Sequence, residues 1–131
     1  MDITFLNDNS KKDMRKRGEE HWESRSEDLR LYMNDPDVYE KGNEDLPPFH
    51  EYGLNFDYVE PETFDDQEEG YHRFQFSWGG PSEELRFYED EDIEFVFLDW
   101  FCGIGFNVSE AEEAQWLFDV FKGMGMLQTQ N

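Results

Sequence analysis

Asp and Glu outnumber Lys and Arg three to one in this chain, 33 against 11. The acids gather into runs: Asp65, Asp66, Glu68 and Glu69; Glu83 and Glu84; then Glu89, Asp90, Glu91 and Asp92. Carboxylates at that density can hold a metal, act as an acid–base pair, or present a negative field to a cation. The metal option fails on spacing. No D-x-D-x-D-G run with a glutamate at the calcium-loop distance exists, and Asp35-Pro36-Asp37 puts proline where such a loop needs freedom. His21, His50 and His72 have no paired spacing, and the single cysteine, Cys102, cannot build a structural zinc site. No cofactor is expected.

Catalysis has little to stand on. Cys102 lies among Trp100, Phe101 and Ile104 and reads as a small buried hydrophobe. Acidic surroundings raise a thiol pKa, the wrong direction for a nucleophile. There is no G-x-S-x-G elbow and no phosphate-cradling glycine loop. Glu94 and Asp99 share only acidity with a glycosidase pair. The expectation is a protein that is not an enzyme.

The third option gains from how the charge is distributed. The net charge is −22. Residues 1–34 carry 8 acids and 7 bases, whereas residues 35–131 carry 25 acids and 4 bases, a net of −21. Such a field repels nucleic acid and anionic membranes and speeds encounter with a basic partner. Duplex DNA carries one charge per ~1.7 Å of axis, so that excess matches a duplex of about 36 Å. A compact domain of this length is itself about 36 Å across. Solubility and salt adaptation are the bland explanations. The second fits poorly with 13 Phe, 6 Tyr and 4 Trp.

Those aromatics also argue against disorder, because each buries a large area. The length suits one domain, residues 1–131, with a helical segment at 1–34 and a core at 53–122. Asp2 to Leu6 reads as a short strand or an anchor. A helix is expected from about Lys11 to Met33, capped from Asn7–Ser10, with sparse apolar positions and a weakening Gly18. Residues 35–52 read as an irregular connector. Alternation predicts strands at 53–59, at 73–78 with Phe74, Phe76 and Trp78 on one face, at 84–88, and at 93–101. Gly103 and Gly105 then release the chain. Ser109 and Glu112 form a capping box for a helix that runs to Lys122.

The fold class is therefore α+β, a four-stranded antiparallel meander flanked by an N-terminal and a C-terminal helix. The C-terminal helix should cover one face. The other calls for the N-terminal helix or a second copy, because the fourth strand is apolar on both sides. A homodimer is the corresponding expectation. In a meander the 60–70 and 89–92 loops share one end, which gathers eight of the clustered acids; Glu83 and Glu84 join the candidate partner-binding set from beside the opposite turn. Phe64 and Tyr71 are candidate aromatic contacts. One cysteine and no apolar run of membrane length point to a cytoplasmic protein.

In its charge, size and aromatic content the chain resembles the DNA-mimic proteins of phages and mobile elements, the anti-restriction and anti-CRISPR inhibitors. That resemblance implies a non-enzymatic inhibitor whose carboxylates stand in for phosphates and block a basic nucleic-acid-binding host defence protein, with no direct nucleic-acid contact. The profile is also similar to immunity proteins and antitoxins that neutralise basic nucleases. A small metal-binding or enzymatic domain is the remaining alternative.

Overall fold

The computed structural model describes residues 3–5, 11–78, 81–99 and 102–127. The strands are β1 (Ile3–Phe5), β2 (Asn55–Val59), β3 (Tyr71–Ser77), β4 (Ser82–Tyr88), β5 (Ile93–Asp99) and β6 (Cys102–Asn107). The helices are α1 (Lys11–Asn34), α2 (Pro36–Lys41), α3 (Phe49–Tyr52) and α4 (Glu112–Gly123). The strands form one antiparallel sheet in the order β1-β6-β5-β4-β3-β2. Five of them, β2 to β6, make a continuous meander, and β1 pairs antiparallel on the outer edge of β6. The α+β class and the antiparallel sheet follow the sequence expectation; the strand count does not.

The extra meander strand is β6. Asp99 pairs with Cys102, so β5 reaches Asp99 and β6 runs antiparallel beside it. Gly103 and Gly105, read as a release, lie inside β6 opposite Leu98 and Val96. Gly105 is where the Glu94 side chain crosses: a Cβ there would sit 2.6 Å from Glu94 Oε2. Glycine inside a strand marks this kind of close approach. The expectations for Asn7–Ser10, Trp100, Phe101 and the Cys102 side chain fall outside the described residues.

Strand alternation puts Phe56, Phe74, Phe76, Leu85, Phe87, Ile93, Phe95, Phe97, Ile104 and Phe106 on one face. Both long helices pack there, which corrects the option that the N-terminal helix covers the other face. From α1, His21 lies 4.4 Å from Phe97 and Trp22 lies 5.2 Å from Phe95, ring centre to ring centre. From α4, Phe121 meets Phe74 at 5.3 Å and Phe87 at 5.7 Å. Gly18 is the seat of α1 on β6: a Cβ would come within 2.7 Å of both Ile104 and Phe106. The residue that weakens the isolated helix therefore lets it dock.

The sparse apolar stripe of α1 is supplemented by polar contacts. Arg17 pairs with Asp99, Arg25 with Glu83, and Ser26 and Arg30 with Glu113. The supposed connector at 35–52 holds α2 and α3. Asp35 caps α2, its side chain accepting from the amides of Asp37 and Val38, and Pro36 takes the first helical position, where its missing N–H costs nothing. Phe49 and Tyr52 of α3 pack on Tyr32 of α1, each at 5.2 Å. The Tyr32 hydroxyl donates to the Pro47 carbonyl, and burial pushes its pKa up to about 12. So Trp22, Tyr39, Phe49 and Tyr52, not assigned to a core from sequence, all join it.

Two further corrections concern strand and helix ends. The register shifts between Gln75 and Ser77, a bulge. Beyond it Trp78 leaves the sheet and is 74% exposed, instead of continuing the Phe74–Phe76 face. Ser109 does not cap α4, whose first turn is preceded by Ala111 without a side-chain cap. The Ser109 hydroxyl instead accepts from the Ile93 amide and so satisfies the start of β5.

Candidate functional site

Among the described residues, no helix lies on the other face of the sheet. It carries Asp57, Arg73, Arg86 and Glu94 in one cross-strand row and Asn55, Gln75, Glu84 and Val96 in the next. Asp57 takes both Arg73 nitrogens, at 3.0 and 2.7 Å, in a fork-to-fork pair. Glu84 accepts from Arg86 at 2.7 Å. The Arg86 guanidinium rests 4.6 Å from the centre of the Tyr71 ring. Burial alone would lower the Arg86 pKa, but Glu84 and Tyr71 outweigh it and hold the charge firmly. Charged and paired side chains dominate this face, with Val96 and Leu98 of β5 its apolar contribution from the fourth expected strand.

The 60–70 loop and the 89–92 turn leave the sheet at the same end, because Val59, Tyr71 and Tyr88 stand in one register row. Both are internally held. Gln67 is the hub of the first: its Nε2 donates to the carbonyls of Glu60 and Glu69, and its Oε1 accepts from the Phe64 amide. The Glu62 amide also bonds the Gln67 carbonyl, at 2.8 Å. In the second, the Tyr88 amide donates to the Asp92 carbonyl, and Asp90 accepts from the Asp92 amide. Asp66 and Glu91 sit at φ 58° and 71°, where glycine is the cheaper residue. At Glu91 the turn closes a β-hairpin, and glycine normally occupies that left-handed position.

These loops expose Asp65, Asp66, Glu68, Glu69, Glu89, Asp90, Glu91 and Asp92, together with Glu60 and Glu62. The eight expected acids are thus brought to one end. Glu83 and Glu84 are not part of that display, which corrects their place in the candidate set. They are 4% and 3% exposed. As adjacent strand residues they point to opposite faces. Glu83 goes toward α1, where Arg25 Nε donates at 2.8 Å and His21 Nδ1 stands at 3.3 Å. Glu84 goes to Arg86. Of the two aromatic candidates, Phe64 is 51% exposed while Tyr71 is 1% exposed and can offer no contact area at the surface.

Other exposed acids lie elsewhere: on the outer side of α1, in α2, at Glu44, Asp45 and Glu51, and at Glu110, Glu112 and Asp119 around α4. On α1 they are interleaved with bases, as where Arg15 meets Glu19 at 2.9 Å. At the loop end the bases are few: Arg86 lines the cleft under the 64–69 segment, and Lys122 lines the neighbouring one beside Glu89, Asp90 and Glu91. The first cleft encloses about 650 Å³. Tyr71 and Tyr88, 5.5 Å apart, stand between the two. The Tyr88 hydroxyl donates to Glu94 at 3.1 Å, and burial, then Glu94, raises its pKa.

Sequence reasoning did not find Gln67, Arg86, Tyr88 or Glu94 as parts of this end. A signal existed for Gln67, the one amide in an otherwise acidic loop. Among the described residues, no three His, Cys, Asp or Glu side chains converge as a metal site requires. No helix among them is long and apolar enough to cross a membrane. No protein-family model, curated protein or solved structure matches the chain.

Proposed function

We propose that this protein is a non-enzymatic inhibitor that presents carboxylates in place of nucleic-acid phosphates and occupies the binding groove of a basic nucleic-acid-binding protein, of the host-defence class, in the cell cytoplasm. The observation that carries the reading is the gathering of ten exposed carboxylates on two hydrogen-bonded loops at one end of the sheet. Phosphate recognition by proteins rests on Lys and Arg arrays that read charge and spacing. A rigid carboxylate array addresses the same groups and loses little entropy on docking, since its loops are already ordered. Phe64, exposed inside the acidic rim, adds apolar contact of the kind that anchors tight interfaces.

The test is competition. A basic nucleic-acid-binding protein from the natural host is bound to labelled duplex and titrated with this chain at low and at high salt. Displacement at low salt that weakens steeply as salt rises is expected. Replacing Asp65, Asp66, Glu68 and Glu69 by their amides should lower the on-rate by about tenfold or more while the fold is kept. Unchanged nucleic-acid affinity across the basic proteins captured from the host at low salt would remove the proposal.

A further inference from the structure

The sheet has two outer edges, and they differ. β1 is three residues long. A short edge strand discourages unwanted pairing, as do lysine, proline and bulges along an edge. β2 uses none of these. It is five residues long, its register with β3 is unbroken from Asn55 to Val59, and it holds no lysine or proline. Its one charged side chain, Asp57, is turned sideways to Arg73 on β3. Among the described residues β2 pairs with β3 alone, so alternate amides and carbonyls of β2 point outward.

A groove lies beside this edge. Leu54, Phe56, Phe74, Phe121, Met124 and Met126 supply its apolar walls, and it encloses about 790 Å³. Leu54 and Met124 are 61% and 59% exposed. A second hollow of about 470 Å³ follows along β2, beside Asp57, Glu60 and Met126. We infer that β2 and its groove receive an extended segment of a protein partner, which joins the sheet as an added strand. On the proposed function, on which this rests, the segment belongs to the same basic protein. It carries bases at one end and apolar side chains at alternate positions toward the other.

Charge sets the direction. β2 runs straight into the acidic loop, where Glu60 and Glu62 are exposed. At its other end Glu40 is accompanied by Lys41 and His50 in the groove wall. Bases are therefore drawn to the Val59 end and not to the Leu54 end. Antiparallel pairing, the more stable kind, then puts the bases first in the segment and the apolar residues last. Alternate side chains of an added strand share a face at a spacing of about 7 Å, so two of them reach the apolar groove. A second copy of this chain is the poorer occupant, because it brings a charge of −22 against the same charge.

The probe is the capped peptide Lys-Arg-Lys-Thr-Val-Thr-Leu-Thr, titrated into the full isotope-labelled chain and followed by amide NMR. Saturable shifts are expected at 54–60, Met124 and Met126. The reversed sequence keeps composition and charge and should bind about tenfold more weakly. Two further versions carry N-methyl groups on one or the other set of alternate amides. One set faces β2 and the other faces solvent, so one version should lose binding and the other keep it. Leu54→Asp alters a side chain already exposed and should weaken binding about tenfold. Glu23→Gln, on the outer side of α1, should leave it unchanged. Shifts that do not saturate, N-methyl versions that behave alike, or a reversed peptide that binds equally would overturn the inference. So would a dimer at micromolar concentration in light scattering that Leu54→Asp dissolves, since the edge would then belong to a second copy. If the peptide fails while the whole protein still displaces duplex, the added strand alone falls. Selective peptide binding without displacement upholds the added strand and removes the phosphate-mimic reading.

Discussion

Two acidic pairs, Glu68-Glu69 and Glu83-Glu84, look alike in the sequence and end in opposite environments. The first lies in a loop, exposed and without an arginine partner among the described contacts. The second lies in β4, buried, and the pleat sends one carboxylate to each face of the sheet. Each there meets an arginine, Glu83 that of Arg25 on α1 and Glu84 that of Arg86 two residues along the same strand. Glu113 on α4 repeats the pattern with Arg30 and Ser26. The molecule thus uses acids in two ways, as internal ties between helices and sheet, and as an outward display. The lesson is that local charge density does not say which; the position relative to the sheet does.

The contrast can be broken most severely at Glu83. Glu83→Ala leaves the Arg25 guanidinium without its principal partner, and loss of one member of a buried pair costs about 3 kcal/mol. Urea denaturation should show that loss, whereas Glu68→Ala should stay within about 0.5 kcal/mol of the parent. Equal effects at the two sites would end the distinction between tie and display.

The seat of α1 can be tested next, because it brings Arg25 to Glu83. Helix propensity favours Gly18→Ala by about 1 kcal/mol. Overpacking against Ile104 and Phe106 opposes it by about 1–3 kcal/mol. A net loss of about 1 kcal/mol is expected in thermal melts, with the sign opposite to that of an isolated α1 peptide measured by circular dichroism.

Acid titration sharpens the comparison at Glu113. Burial alone would raise its pKa; the hydrogen bonds from Ser26 and Arg30 outweigh that and hold it below the ordinary carboxylate value. A depressed folded-state pKa gives stability that is present above the unfolded value, about 4.3, and lost as pH falls through the lower folded one. The parent should therefore lose stability below about pH 4.3 more steeply than Glu113→Gln, when denaturant midpoints are compared from pH 6 to pH 2.5. Parallel curves would show that the tie contributes no linkage.

The smallest effect concerns the display itself. Glu91 holds a left-handed conformation that a side chain disfavours by about 1–2 kcal/mol. Glu91→Gly should raise stability by a few tenths up to about 1 kcal/mol, after glycine's larger unfolded-state entropy is subtracted. A destabilised variant would mean that the Glu91 side chain holds the turn.

Much of the fold could be read from the chain. Alternation at Phe74, Phe76, Leu85, Phe87, Phe95 and Phe97 is local, and it places those strands and their inner face without any knowledge of neighbours. The meander order then brings the 60–70 and 89–92 loops to one end, since short connections leave consecutive antiparallel strands no other arrangement. The missed elements had weaker local signals. Asp35-Pro36 is a helix start in a stretch otherwise resembling a loop. In β6, two glycines concealed a strand whose value lies in letting Glu94 and α1 approach.

The sequence by itself determined the charge, its lopsided distribution and the alternation that makes a sheet, because each depends only on residue types and near neighbours. Tertiary structure alone decided which carboxylates are spent inside and which face outward. That choice depends on where an arginine from a distant element lies, as Arg25 does for Glu83, 58 positions away along the chain. It likewise decided that Tyr71, an apparent surface aromatic, is a buried hydroxyl at the side of a cleft.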